Sequence, residues 1–338
     1  MRLKSAMRKR PVGTRNAQLI LFFLLLLVPS VSLGQGFTAR TIGDYGNVTV
    51  MEVAGNYDAL NPDGSTNASP RQEIAKELFR LHKDEYDFLV VFTNFDFMMP
   101  EADAKAFYLG VKNDTTGIGL SLFDNSALFG SSGKLQGMID MGNIANLSGL
   151  PLALKFRETL DLLAHETMHR WGAYVRFKAA NGNISDALLQ FDPAKHAAHW
   201  SFLLDSKGSV LYGNRWQDNG NGTFSSTGAR KYYSPLDLYL MGFYSKSQVP
   251  PMLLIDNPEI KPERLPEVGV TITGTPRSVT IDDIIEAEGE RLPRSSESQK
   301  AFKTAFILVT TPNTFEGHER SEERRVGKEC RSRWSPYH

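Results

Sequence analysis

Two histidines and a glutamate lie close together in the stretch HETMH, residues 165–169. In a helix, side chains four residues apart project from the same face, so both imidazoles can reach one metal ion. Glu166 is rotated toward the same cleft, where its carboxylate can accept a proton from a metal-bound water. The pattern therefore predicts a zinc site in which His165 and His169 are ligands and Glu166 is the catalytic base.

The residues around this motif favour a helix that is packed in a core. Apolar side chains recur there at helical spacing, namely Leu160, Ala164, Met168, Trp171 and Val175. Such a stripe is typical of a helix with one buried face, and Pro151 is well placed to begin it. Buried imidazoles need polar partners, and one metal ion serves both. The alternative is a surface helix whose two histidines are accidental, and the apolar stripe argues against it.

The beginning of the chain is typical of a secretory signal peptide. Six Lys and Arg residues occur within the first 15 positions, and an apolar run follows over 19–28. Small residues Ser32 and Gly34 come next, as a cleavage site requires, which predicts a signal peptide over 1–34 and a secreted protein. A membrane anchor is the alternative, but the run is short for crossing a bilayer.

The other end, RSEERRVGKECRSRWSPYH at 320–338, has dense charge and no hydrophobic periodicity. It resembles the translation of a common sequencing adapter, which implies that these residues are not native and that the natural sequence is cut off near Glu319. A genuine basic tail that binds nucleic acid or membrane is the alternative interpretation.

Without these two ends the composition changes. Residues 35–319 contain 26 Lys and Arg against 35 Asp and Glu, a net charge of −9. Such a charge disfavours nucleic acid and anionic membranes as partners. The only cysteine, Cys330, lies in the tail, so disulfides and thiol chemistry are not expected.

The order of segments predicts an α+β protein. We expect helices over 73–83 and 281–290 and strands over 86–95, 106–111 and 302–310. The weakly alternating segment 135–144 is expected to be an edge strand directly before the motif helix. An N-terminal lobe over 35–178 would carry the motif, and a smaller C-terminal lobe over 179–319 would supply a third ligand.

The motif and this order of elements resemble the zincin metallopeptidases, in which an edge strand pairs with an extended peptide substrate above the motif helix. The phrases HWSF, NRWQDNGNGTF and YSPLDLYLMG are similar to a family of secreted bacterial proteins described only as uncharacterised metallopeptidases. The resemblance implies a zinc-dependent peptidase that acts on proteins or peptides. A non-catalytic secreted binding module with a structural or decayed zinc site is the alternative.

The third zinc ligand distinguishes the zincin classes. The motif continues as HExxHxxG, which is similar to the metzincins, but the position of their third histidine is occupied by Val175. One candidate is His199, about thirty residues after the motif. The other is Asp237 in SPLDLY, which resembles the aspzincin pattern without its opening Gly-Thr. Asp237 is preferred because a carboxylate lowers the net charge of the site, although Ser234 and Pro235 also make it a good helix cap.

A calcium site is the less favoured interpretation of DNGNGT at 218–223. The segment lies between two aromatic residues and lacks the distal Glu of an EF-hand loop. Because Asn-Gly supplies positive φ angles, a β-hairpin turn is the simpler expectation.

Overall fold

The structure is a computed structural model that describes residues 36–101, 104–147, 151–190, 198–228, 232–257 and 259–312. The predicted signal peptide, the 320–338 tail and Cys330 lie outside the described residues. The described chain is a mixed α and β protein, mostly sheet with few helices, which confirms the α+β class. No helix in these ranges is both long enough and apolar enough to cross a membrane.

The strands of the described ranges are numbered in chain order. They are β1 (Thr38–Tyr45), β2 (Val48–Ala54), β3 (Phe88–Thr93), β4 (Phe107–Gly110), β5 (Lys112–Asn113), β6 (Phe123–Asp124), β7 (Gly137–Asn143), β8 (Phe177–Lys178), β9 (Ile184–Ser185), β10 (Trp200–Asp205), β11 (Tyr212–Asp218), β12 (Thr223–Gly228), β13 (Met252–Asp256), β14 (Thr271–Thr273), β15 (Thr275–Val279) and β16 (Thr304–Thr310). The helices are α1 (Ser69–Leu81), α2 (Ile144–Leu147), α3 (Leu152–Met168), α4 (Pro235–Leu240) and α5 (Ile281–Glu288), with 3₁₀ turns at Ser126–Phe129 and Lys246–Gln248.

The first sheet has the order β1-β2-β16-β3-β7-β4. Its four central strands are parallel, and β1 and β4 are antiparallel edge strands. Both faces are covered, so β3 is apolar from Phe88 to Phe92, as buried parallel strands are. Leu89 and Val91 of β3 pack with Ile74 of α1, whereas Val90 packs on the other face with Leu162 of α3.

Several sequence predictions for this sheet are confirmed. Helix α1 and strands β3, β4 and β16 form where they were expected, with ends that differ by a few residues. The expectation of an edge strand over 135–144 is wrong, because β7 lies between β3 and β4 and has neighbours on both sides. Six of its seven residues are buried, which explains why its alternation of apolar and polar residues is weak. The edge strand nearest the motif helix is β4.

The division into two lobes at residue 178 also needs correction. Strand β16 belongs to the predicted C-terminal lobe, yet it inserts between β2 and β3 at the centre of the first sheet. The chain therefore returns to the N-terminal sheet after completing the second one.

The second sheet has the order β14-β12-β11-β10-β13-β15. Its core includes Trp200, Phe202, Trp216 and Phe224. Strands β11 and β12 form the expected hairpin, and its turn contains Gly220 and Gly222 at φ of 77° and 76°. The carboxylate of Asp218 accepts the N–H of Gly220 within that turn, so the side chain stabilises the hairpin.

Helix α3 is less buried than its apolar stripe predicts. Ala164 and Met168 pack in the core, but the side chains of Phe156 and Leu160 are 63% and 47% exposed. The helix ends at Met168, so Trp171 and Val175 are buried in the segment that follows it. Only the last two turns of α3 are fixed against the sheet, and these turns carry the motif.

Candidate metal centre

The motif lies at the carboxyl end of α3. His165 is in the last turn of the helix, and His169 is the C-cap residue immediately after it. The two rings face the same side, with their centroids 4.9 Å apart. The hydroxyl of Tyr174 donates to the carbonyl of His169 at 2.7 Å, which holds the end of the helix in place. The helix thus presents both imidazoles together, as the four-residue spacing predicts.

Backbone carbonyls define the protonation of both rings. Nδ1 of His165 lies 2.7 Å from the carbonyl oxygen of Val210, and Nδ1 of His169 lies 3.3 Å from that of Gly172. A carbonyl oxygen only accepts, so each Nδ1 carries the proton. Burial and the neighbouring histidines lower the pKa of His169 well below its usual value, which keeps this ring neutral. In a neutral imidazole with its proton on Nδ1, the lone pair is on Nε2, the nitrogen that can bind a metal.

These lone pairs converge with a third imidazole, that of His199. Nε2 of His165 is 3.2 Å from Nε2 of His169 and 3.0 Å from Nε2 of His199. Within the described ranges, this trio is the only group of three or more His, Cys, Asp or Glu ligand atoms close enough to share an ion. The chain brings His199 there because it directly precedes β10, whose first residue donates its N–H to Leu211 at 2.8 Å.

The donor set fits a zinc ion. Zinc binds imidazole nitrogen at about 2.0–2.1 Å in a tetrahedral arrangement, which places ligand nitrogens about 3.3–3.4 Å apart. The observed separations are close to this value. Two neutral rings with their protons on Nδ1 would turn the lone pairs of His165 Nε2 and His169 Nε2 toward each other. A cation between them would offset this repulsion, and the carbonyl acceptors on Nδ1 are typical of metal-binding histidines.

Glu166 is buried beside this cluster. Its side chain is 5% exposed, and burial raises its pKa to about 8. A hydrogen bond from the backbone N–H of Tyr108 in the edge strand β4 offsets part of that effect. The charge of Glu166 also acts on the phenols of Tyr174 and Tyr212, so its carboxylate lies within the same cleft. A carboxyl group with a pKa near neutrality suits proton transfer in both directions.

Tyr212 is a residue of the site that the sequence analysis missed. Its ring stacks on His199 with centroids 4.4 Å apart, and it has φ of 74°, which is uncommon outside glycine. Burial, followed by the carboxylates of Glu166 and Glu101, raises the pKa of its phenol. No motif marks this position. A backbone conformation of this kind persists only where the surroundings impose it, which points to a positioned side chain.

Asp237, the preferred third ligand, does not lie in the histidine cluster. It is fully buried at the third position of α4, where it forms a capping box with Ser234. Oδ1 accepts the indole N–H of Trp200 at 2.9 Å, and Oδ2 accepts the N–H of Ser234 at 2.8 Å. The preference for Asp237 over His199 is therefore corrected, because the helix cap turns this carboxylate toward Trp200 instead of the three imidazoles.

Comparison of the chain with protein-family models, with curated proteins and with solved structures finds no match in any of the three.

Proposed function

We propose that this protein is a secreted zinc-dependent peptidase. The observation that carries the proposal is the convergence of three imidazole nitrogens beside a buried glutamate. In His165 and His169, the other ring nitrogen, Nδ1, faces a backbone carbonyl, which directs Nε2 toward the shared site. His165, His169 and His199 would hold the ion, and Glu166 would be the catalytic base.

The arrangement around the site supports a zincin-like fold. Strand β4 is antiparallel to its neighbour β7 and pairs with no other described strand. Its Tyr108 N–H reaches Glu166, so one edge of the sheet lies directly against the motif. An unpaired edge can add an extended peptide through main-chain hydrogen bonds. The proposed substrate is therefore a protein or peptide bound in an extended conformation along β4.

A bound zinc ion would polarise the scissile carbonyl and make a water molecule acidic enough to react near neutral pH. Glu166 would accept the proton of the attacking water and then transfer it to the nitrogen of the leaving amine. The carbonyls of Val210 and Gly172 would hold the Nδ1 protons of His165 and His169, so that Nε2 of each ring faces the ion.

A non-catalytic binding module with a structural zinc would have a different number of protein ligands. A structural zinc site is closed by four protein ligands, whereas a catalytic site keeps one position for water or substrate. In the described residues three ligand atoms converge and no fourth His, Cys, Asp or Glu joins them. This count favours the catalytic proposal.

Metal content and proteolysis can be measured on the same protein to test the proposal. Purified protein should contain one zinc per chain and hydrolyse casein or a mixed peptide library. A chelator should remove the metal and the activity together, and added zinc should restore both. Protein that hydrolyses peptides equally well with and without the chelator, or that binds no zinc, would contradict the proposal.

A further inference from the structure

Asp237 makes more contacts than a helix cap requires. A capping box needs only the exchange between Asp237 and Ser234, in which the Ser234 hydroxyl accepts the N–H of Asp237 at 3.1 Å. The carboxylate of Asp237 also accepts the indole N–H of Trp200 and a hydrogen bond from the hydroxyl of Ser209. It therefore joins three separate segments, which are the start of α4, the start of β10 and the loop before β11.

Two of these segments lead directly to the histidine cluster. Trp200 follows His199 in the chain, and Ser209 precedes Val210, whose carbonyl accepts the Nδ1 proton of His165. The hydroxyl of Ser209 also accepts the N–H of Leu211 at 3.0 Å, which fixes the peptide group that carries the Val210 carbonyl. One carboxylate thus holds the neighbours of His199 and of the acceptor that orients His165.

Asp237 and its hydrogen-bond partners are buried, so its carboxylate depends on these hydrogen bonds. Asp237 is 0% exposed, and Trp200 and Ser209 are 1% and 3% exposed. A buried charge without hydrogen bonds is costly, so removing part of this network should let the connected segments move. A shift of His199 or of the Val210 carbonyl would change the positions of the donor nitrogens.

We infer that Asp237 is a positioning residue of the metal centre, which acts through Trp200 on His199 and through Ser209 on the Val210 carbonyl that orients His165. The inference rests on the proposed function, because it assumes that the three histidines bind zinc. Groups that orient metal ligands in this way contribute about 10–100-fold to metal affinity. A direct ligand would contribute more, and a simple helix cap would contribute nothing to metal binding.

The test compares Asp237→Asn with Asp283→Asn by zinc competition against a chromophoric chelator. Asp283 is a matched control, since it forms the same capping box with Thr280 at the start of α5, where its Oδ2 accepts the Thr280 N–H at 2.7 Å. We expect zinc to bind about 10–100-fold more weakly to Asp237→Asn and with unchanged affinity to Asp283→Asn. The absorption bands of the cobalt-loaded protein should also shift in Asp237→Asn alone, because they report ligand geometry.

Trp200→Phe is the second variant, and it decides the question if Asp237→Asn does not fold. It removes the indole N–H and keeps an aromatic ring, so it should weaken zinc binding in the same direction with a smaller effect. The inference would be overturned if Asp237→Asn bound zinc with wild-type affinity. If Asp237→Asn does not fold, wild-type zinc affinity in Trp200→Phe would overturn it. Equal weakening in Asp283→Asn, or a loss far above 100-fold in Asp237→Asn, would overturn it too. Absence of zinc from the wild-type protein would instead refute the proposed function.

Discussion

Replacement of His199 by alanine should remove a ligand from the proposed zinc site. Nε2 of His199 lies 3.0 Å from Nε2 of His165, and its ring is stacked on Tyr212. The variant would leave two protein donors, His165 and His169, and would also create a gap next to Tyr212. We therefore expect a large loss of zinc affinity with a modest effect on the fold.

The magnitude follows from the number of ligands. Zinc sites with four protein ligands have binding free energies of about 10–16 kcal/mol, which corresponds to about 2.5–4 kcal/mol per ligand. At about 1.4 kcal/mol per tenfold change, losing one of three ligands should weaken zinc binding by about 10²–10³-fold. This range exceeds the effect expected for Asp237→Asn, so the two roles can be distinguished in one assay.

Zinc competition on the folded variant measures this effect, and circular dichroism establishes that the variant is folded. His82→Ala is the control, because His82 lies at the end of α1 and its Nε2 is 3.4 Å from a carboxylate oxygen of Asp44. That variant should bind zinc as the wild type does. An affinity of His199→Ala within tenfold of the wild type would refute the assignment of His199 as the third ligand.

Two further predictions concern Tyr212 and Glu77. Tyr212→Phe keeps an aromatic ring stacked on His199 and should bind zinc as the wild type does, whereas Tyr212→Ala should bind zinc more weakly. Equal zinc affinities of these two variants in a competition assay would contradict a role for the stacking. The hydrogen bond from Arg80 lowers the pKa of Glu77 from 4.5 to about 2, and this carboxylate also accepts the N–H of Thr41. Because the folded pKa is the lower one, its stabilisation is present above pH 4.5 and is lost as the pH falls toward 2. Urea unfolding should therefore show Glu77→Gln to be about 1 kcal/mol less stable than wild type at pH 6, after allowance for solvent screening. The difference should shrink as the pH falls below about 4.5 and should vanish only below about pH 2. A difference that does not depend on pH would refute this explanation.

The sequence predicted elements whose pattern is local. The apolar run of β3, the amphipathic helix α1 and the hairpin between β11 and β12 each carry their signal within a few residues. The capping box of Ser234 and Asp237 was also readable, because Ser-Pro-x-Asp is a local pattern. The spacing of His165 and His169 placed two imidazoles together for the same reason, since helix geometry alone determines it.

Features that depend on long-range pairing could not be predicted in this way. The position of β7 inside the sheet depends on β4 pairing on one side and β3 on the other. The choice between His199 and Asp237 depends on how the loop before β11 packs against β10. The resemblance to the aspzincin pattern favoured Asp237 as a ligand. The capping-box pattern at the same residue predicted its observed contacts correctly. Tyr212 and the Val210 carbonyl had no sequence signal, because their roles come from backbone conformation.

The most direct test of the central claim is the paired measurement of zinc content and peptide hydrolysis in Glu166→Gln. Glu166 is buried beside the histidines without belonging to the group whose ligand atoms converge. If it is the catalytic base, the variant should keep one zinc per chain and lose hydrolysis by at least about 100-fold, the contribution typical of general base catalysis. A variant that keeps its zinc and still hydrolyses peptides at the wild-type rate would contradict the account.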